Sequence, residues 1–150
     1  RLSRIVAHLC ADHSHLRFGV IAALARSFDE ATDPAARERF ARLVEMLRRH
    51  LTREEHVVFP LIETMEESGA PPSIERGLGK VIAQLIAEHE MIAEAVAELR
   101  AHPEVGDRIG ELQSALQSCM DLENTVLYPR AIALEKKSER RTQNAESRKT

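Results

Sequence analysis

The chain has 150 residues, of which 43% are hydrophobic, 30% charged and 3% aromatic, and its net charge is −3. That length suffices to bury the core of one domain, and the charge announces no nucleic-acid surface. No apolar run approaches the roughly 18 residues a membrane span requires, no signal peptide is visible, and two cysteines do not make a disulfide framework, so a reducing cytoplasm is the expected compartment.

Ala, Leu, Glu and Arg dominate and the strand-forming set is thin, which predicts an all-α fold. Breakers divide the chain into helices at about 2–30, 34–67, 73–101 and 104–136, each with an apolar seam in steps of three and four. The first seam reads Leu2, Val6, Leu9, His13, Leu16, Val20, Ala23. Asp33-Pro34 then reads as an N-cap followed by proline at the first helical position. The second seam reads Phe40, Leu43, Leu47, His50, Glu54, Val57, Leu61, and the loop from Ser68 ends in a predicted N-cap at Ser73. The third reads Leu78, Ile82, Leu85, His89, Ile92, Val96, Leu99, and His102-Pro103 closes that segment. The fourth reads Val105, Ile109, Leu112, Leu116, Cys119, Glu123, Val126. After Leu134 one alanine and no larger apolar residue remain, so the bundle domain is expected over 1–136 and a solvated, disordered tail over 137–150.

Short connections make successive helices antiparallel neighbours, which predicts an up-down-up-down four-helix bundle. The polar seam residues His13, His50, Glu54, His89, Cys119 and Glu123 then stand at one height to within about a helical turn. A repeat underlines them. His50-Leu51-Thr52-Arg53-Glu54-Glu55-His56-Val57-Val58-Phe59-Pro60 and Cys119-Met120-Asp121-Leu122-Glu123-Asn124-Thr125-Val126-Leu127-Tyr128-Pro129 share one layout 69 residues apart. In each, a metal-capable side chain precedes Glu by four, one turn apart on one helix face.

A lone seam histidine is ordinarily a core residue, and a buried carboxylate needs a partner. Three histidines, two glutamates and a cysteine in one layer instead predict a metal site in the core. The competing reading is a His–Glu hydrogen-bonded core without metal. His8 and His15 lie off the seam and are expected to be exposed, His56 points elsewhere, and His102 is a loop residue. Cys10, one turn before His13, reads as a small buried hydrophobe.

One His, HxxxE, one His and CxxxE on successive helices resembles the hemerythrin-like (HHE cation-binding) family over about residues 2–134. The carrying signatures are Glu54-Glu55-His56-Val57-Val58-Phe59-Pro60, Glu88-His89-Glu90 and Leu122-Glu123-Asn124-Thr125-Val126-Leu127-Tyr128-Pro129-Arg130-Ala131. They are most similar to the branch that repairs iron–sulfur centres after nitric oxide or oxidative stress. The resemblance implies a non-haem site for two irons, or one, bridged by Glu54 and Glu123. His50 and His89 would hold one iron, and His13 and Cys119 the other. It also implies NO, O2 or peroxide as ligand and an iron–sulfur protein as partner. Cys119 departs from the family, which has His there, and Ala93 stands where oxygen carriers have a second histidine, so reversible O2 transport is not expected. Three readings of Cys119 follow: it ligates, it fails to ligate and leaves one iron well held, or it pairs with Cys10 as a redox switch. A Cys10, His13, Cys119 and Glu123 set would also make a tetrahedral zinc site.

The expected function is therefore an iron-binding domain that senses or handles NO, O2, peroxide or iron. The alternatives are a non-haem iron peroxidase or NO-reducing enzyme, and a zinc-bound or metal-free structural bundle.

Overall fold

The structure, a computed structural model, describes residues 1–29, 33–71 and 77–148. Among them there is no strand; four helical rods make up the fold. The first rod is α1 (Leu2–His15), a π-helical turn (Leu16–Ile21) and α2 (Ala22–Asp29). The second is α3 (Pro34–Arg53), a π-helical turn (Glu54–Val58) and α4 (Phe59–Ser68). The third is α5 (Leu78–Arg100), without interruption. The fourth opens with a 3-10 turn (Gly106–Ile109) and continues as α6 (Gly110–Leu122), a π-helical turn (Glu123–Leu127) and α7 (Tyr128–Ser147).

The start of the second rod follows its sequence. The Asp33 side chain accepts a hydrogen bond from the Ala35 N–H at 2.8 Å, and Pro34 needs no partner for the N–H it lacks. The rod ends at Gly69, whose φ of 67° is left-handed and whose N–H reaches Met65 O at 2.9 Å. The Ser73 cap lies outside the described residues. Contacts close a ring in which the first and third rods each touch the second and fourth. Leu9, Leu43, Leu47, Ile62 and Leu85 are all fully buried between them.

The seams depart from simple periodicity at one kind of place. Every seam residue of α5, from Leu78 to Leu99, is buried. In the other rods the buried face moves by one residue after the π-helical turn. Leu24 is buried and Ala23 exposed; Val58 and Ile62 are buried, while Val57 is 42% exposed and Leu61 half-buried; Leu127 is buried and Val126 half-buried. A π turn inserts one residue into the i→i−4 ladder, so all that follows rotates by about a residue. The expected seam positions Ala23, Val57, Leu61 and Val126 are corrected accordingly.

Two helix starts are capped from a distance. Leu2 N–H and Ser3 N–H donate to the Glu66 carboxylate at 2.7 and 3.0 Å. Leu78 N–H and Gly79 N–H donate to the Glu135 carboxylate at 2.5 and 3.1 Å. Helix N-termini leave such N–H groups without intrahelical partners, and their positive dipole end favours a carboxylate. The segment read as a tail is helical as far as Ser147, with every side chain from Glu139 to Arg148 exposed.

Candidate metal centre

His13, His50, Glu54, His89 and Glu123 arrive from all four rods at one buried layer, none more than 4% exposed. Glu54 and Glu123 each open a π-helical turn, an interruption that recurs at functional sites. Pro60 and Pro129 stand in the first turn of the helix that follows. A proline offers no N–H to the carbonyl four residues back and its ring crowds that carbonyl, so the ladder is relieved just after each carboxylate.

The inward atoms form two halves. In one, His50 Nε2 and His89 Nε2 face each other at 2.9 Å. Glu54 Oε1 lies 3.4 Å from His50 Nε2, and Glu123 Oε2 lies 3.2 Å from His89 Nε2. These four residues bring one ligand atom each within 4.8 Å of one another. In the other half, His13 Nε2 lies 3.3 Å from Glu123 Oε1 and 3.7 Å from Glu54 Oε2. Each carboxylate thus turns one oxygen to each half.

The outward ring nitrogens fix this arrangement. His13 Nδ1 donates to Glu55 Oε1 at 3.1 Å and His50 Nδ1 to Glu88 Oε2 at 2.9 Å. Arg17 holds the Glu55 carboxylate at 2.7 Å, and Arg53 pairs with Glu88. His89 Nδ1 donates to Asn124 Oδ1 at 2.9 Å. A carboxylate only accepts, so the proton sits on Nδ1 and the Nε2 lone pair points inward. Metal-ligating histidines are ordinarily held this way. Two of the three rings also rest on an aromatic of the repeat: His13 stacks on Phe59 at 5.7 Å and His89 on Tyr128 at 6.1 Å. The Tyr128 hydroxyl donates to Glu54 Oε1.

The donor set fits a cation. With Nδ1 protons committed outward, two neutral rings would set lone pairs face to face at 2.9 Å, so a proton or a metal must lie between them. Three buried atoms, His13 Nε2, Glu54 Oε2 and Glu123 Oε1, have no hydrogen-bond partner, and native interiors rarely leave such groups unsatisfied. The outer carboxylates are balanced by Arg17 and Arg53, whereas Glu54 and Glu123 have only imidazoles to balance their charge, with the neutral Tyr128 hydroxyl beside Glu54. Burial lowers the affinity of His89 for a proton, but Glu123 and Glu54 outweigh it and raise its pKa to about 9. His13 and His50 are raised by the same balance. Burial likewise opposes charge on Glu54, yet His50 and His89 hold its pKa well below the ordinary range. Imidazole and carboxylate donors together suit iron or zinc.

The hemerythrin HHE cation-binding domain model matches residues 4–131. The chain belongs to that family. No curated protein and no solved structure matched it.

Within this hemerythrin-family chain, five of the six predicted ligands meet in the core. Cys119 is buried on the same seam but lies outside the cluster of four, as does His13. Burial, then Glu123, Asp12 and Glu54, push its thiol up to about 12. Cys10 is half-buried, and both cysteines are free thiols. His8, His15 and His56 are exposed, and His102 Nε2 donates to Asp33 Oδ2 at 2.6 Å outside the centre. Sequence reasoning did not single out Glu55, Glu88, Asn124 or Tyr128. The repeat held a signal for two of them, because Glu55 and Asn124 each follow the inward glutamate.

Proposed function

We propose that this chain is a non-haem iron-binding bundle of up-down-up-down course, with two metal positions of unequal strength. His50 and His89, with Glu54 and Glu123, make the stronger position. His13, with the second oxygens of Glu54 and Glu123, makes the weaker one, beside Cys119. The single observation that carries the reading is the pair of inward Nε2 atoms at 2.9 Å, flanked by two buried carboxylates.

Iron would supply redox cycling and open positions for NO, O2 or peroxide. The chain's residues hold that chemistry in place. Glu55, Glu88 and Asn124 orient the rings, and Tyr128 keeps its proton, since burial and Glu54 raise its pKa, and fixes Glu54. We read the role as sensing or handling these ligands in a reducing cytoplasm, in a stress response or in iron supply to damaged iron–sulfur centres. The resemblance of residues 122–131 to the repair branch supports it. No helix among the described residues is long and apolar enough to cross a membrane.

A second reading, one firmly held iron and one labile position, is favoured by the place of Cys119 outside the cluster. Elemental mass spectrometry on anaerobically purified protein, with thiols counted on the same sample, tests both. About two irons with Cys119 blocked indicates thiolate ligation, and about one iron with two free thiols indicates the labile position. Zinc or no metal would overturn the iron reading. A spectrum of the iron-loaded protein unmoved by NO, O2 and peroxide would remove the gas-handling role, and steady turnover of any of them would make the chain an enzyme.

A further inference from the structure

The three inward imidazoles are not held alike. His13 and His50 donate their Nδ1 protons to carboxylates, Glu55 and Glu88, and each carboxylate is itself held by an arginine, Arg17 or Arg53. His89 donates to the neutral amide of Asn124. A hydrogen bond to a charged acceptor is roughly twice as strong as a neutral one, so His89 is the ring tied most weakly from behind.

His89 also borders the outside. A cleft of about 170 Å³ opens between α5 and the fourth rod. α5 supplies His89, Glu90 and Ala93 to its walls, α6 supplies Gln117 and Met120, and the π-helical turn supplies Asn124. Glu90, Ala93 and Gln117 are exposed and form its mouth, whereas His89 and Met120 are buried and form its floor. Ala93 stands one turn after His89 on the same helix face, and a methyl group there leaves the way to the ring open. The cleft has room for several waters, hence for a cation with part of its hydration shell. Its walls carry oxygen donors and no cationic side chain. One ring is thus shared between cleft and centre. Its Nδ1 edge meets Asn124, and its Nε2 lies 2.9 Å from His50 Nε2 and 3.2 Å from Glu123 Oε2.

Two other hollows lack this link. The groove of about 260 Å³ between α3 and α5 is lined by none of the inward ligands, and Arg49 and Arg53, which line it, repel a cation. The cavity of about 130 Å³ beside Asp12 is lined by Cys119 and Leu16 but by none of His13, Glu54 and Glu123. Of these three openings, the cleft alone has a member of the inward cluster in its wall.

We propose that the cleft between α5 and α6 is the entrance by which a divalent cation reaches the centre, with His89 as its door. Turning from Asn124 into the cleft, the ring offers its Nε2 lone pair to the cation there and returns with it to Glu54, Glu123 and His50. The inference rests on the metal reading above.

The test follows Co2+ uptake by the metal-stripped full chain, by visible absorption after rapid mixing, and release by transfer to a chelator. Ala93→Leu and Gln117→Leu fill the cleft from exposed helix positions that suit leucine, and both leave every ligand in place. Each should slow uptake and release alike, by about tenfold to a hundredfold, the barrier that overpacking by one side chain ordinarily sets. Affinity should not change, because a blocked path does not alter its ends. Ser118→Leu, which fills the cavity beside Asp12, should leave both rates as in the parent. Asn124→Ala frees the ring, so its loss of affinity should appear as faster release with uptake no slower. Rates unmoved by both cleft-filling variants, or slowed equally by Ser118→Leu, overturn the entrance and leave the metal reading intact. Slower uptake with unchanged release would assign the effect to a distorted centre and overturn the entrance as well. A chain that takes up no Co2+ overturns both.

Discussion

Three histidines turn the same edge inward because an acceptor waits behind each. Glu55, Glu88 and Asn124 take the Nδ1 protons, and this decides the chemistry of the core more than burial does. The metal-free core must store protons instead: with its pKa raised to about 9, His89 is charged at pH 7. A cation that binds there displaces that proton. Zn2+ uptake should therefore release protons into a weakly buffered solution at pH 7, and fewer at pH 9.5, as followed by an indicator dye. Equal release at both values would contradict the raised imidazoles. At this scale the inward ligands were legible, because a histidine or glutamate on an apolar seam is conspicuous. The outer acceptors were not, because Glu55 and Glu88 lie partly exposed beside the seam, where helix periodicity expects ordinary charged residues. Asn124→Ala should leave His89 free to rotate and lower metal affinity about 10- to 100-fold, the usual effect of losing an outer partner, measured by competition with a chelator.

The rods were legible as elements, and their interruptions were not. Apolar periodicity assumes 3.6 residues per turn throughout, so it carried each seam straight through the π-helical turns and placed Val57 and Val126 in the core. Pro60 and Pro129 were the available signal, since neither can complete the ladder of a straight helix. The first rod has no proline there, and nothing in its sequence marks the turn at Leu16–Ile21. The distant caps also escaped, because Glu66 and Glu135 sit in charge-rich stretches that look solvated. For Glu66, burial opposes the charge, but the Ser3 and Leu2 N–H groups outweigh it and hold the pKa below the usual range. Its folded-state pKa is thus depressed. The stability it contributes is present above the unfolded-state value, about 4.3, and is lost as pH falls through the folded value. Glu66→Gln should lower the melting temperature at pH 7, with the deficit closing toward pH 3 in a thermal-melt series. A constant deficit would assign the effect to shape rather than charge.

The whole molecule is a ring of four rods around one charged layer, and that layer should govern its stability. A cation bound only by the folded state adds about 2.7 kcal/mol at a hundredfold excess over its dissociation constant. Metal should raise the melting temperature of the parent and chelator should return it. Glu54→Ala, which removes an oxygen from both halves, should lose the metal and show no such response. If Glu54→Ala kept its metal, Glu54 would not belong to the centre. The expectation of a single layer at one height followed from counting residues between breaks, and it survived the π-helical turns because each of these begins at or after the ligand it follows.

The capping glutamates bear on how such a chain is put together. Glu66 caps the rod before its own, and Glu135 does the same. The same holds for His13 with Glu55 and for His89 with Asn124. Each helical hairpin therefore caps the start of its own first helix and orients the imidazole on that helix, while His50 takes its acceptor, Glu88, from the other hairpin and neither encloses a centre alone. What the hairpins lack separately is the opposite carboxylate and a second wall. Two copies of one hairpin would supply both by rotation about a common axis. The single chain has the form of such a pair made permanent, and covalent linkage leaves its halves free to differ: one has a histidine and a phenylalanine where the other has a cysteine and a tyrosine.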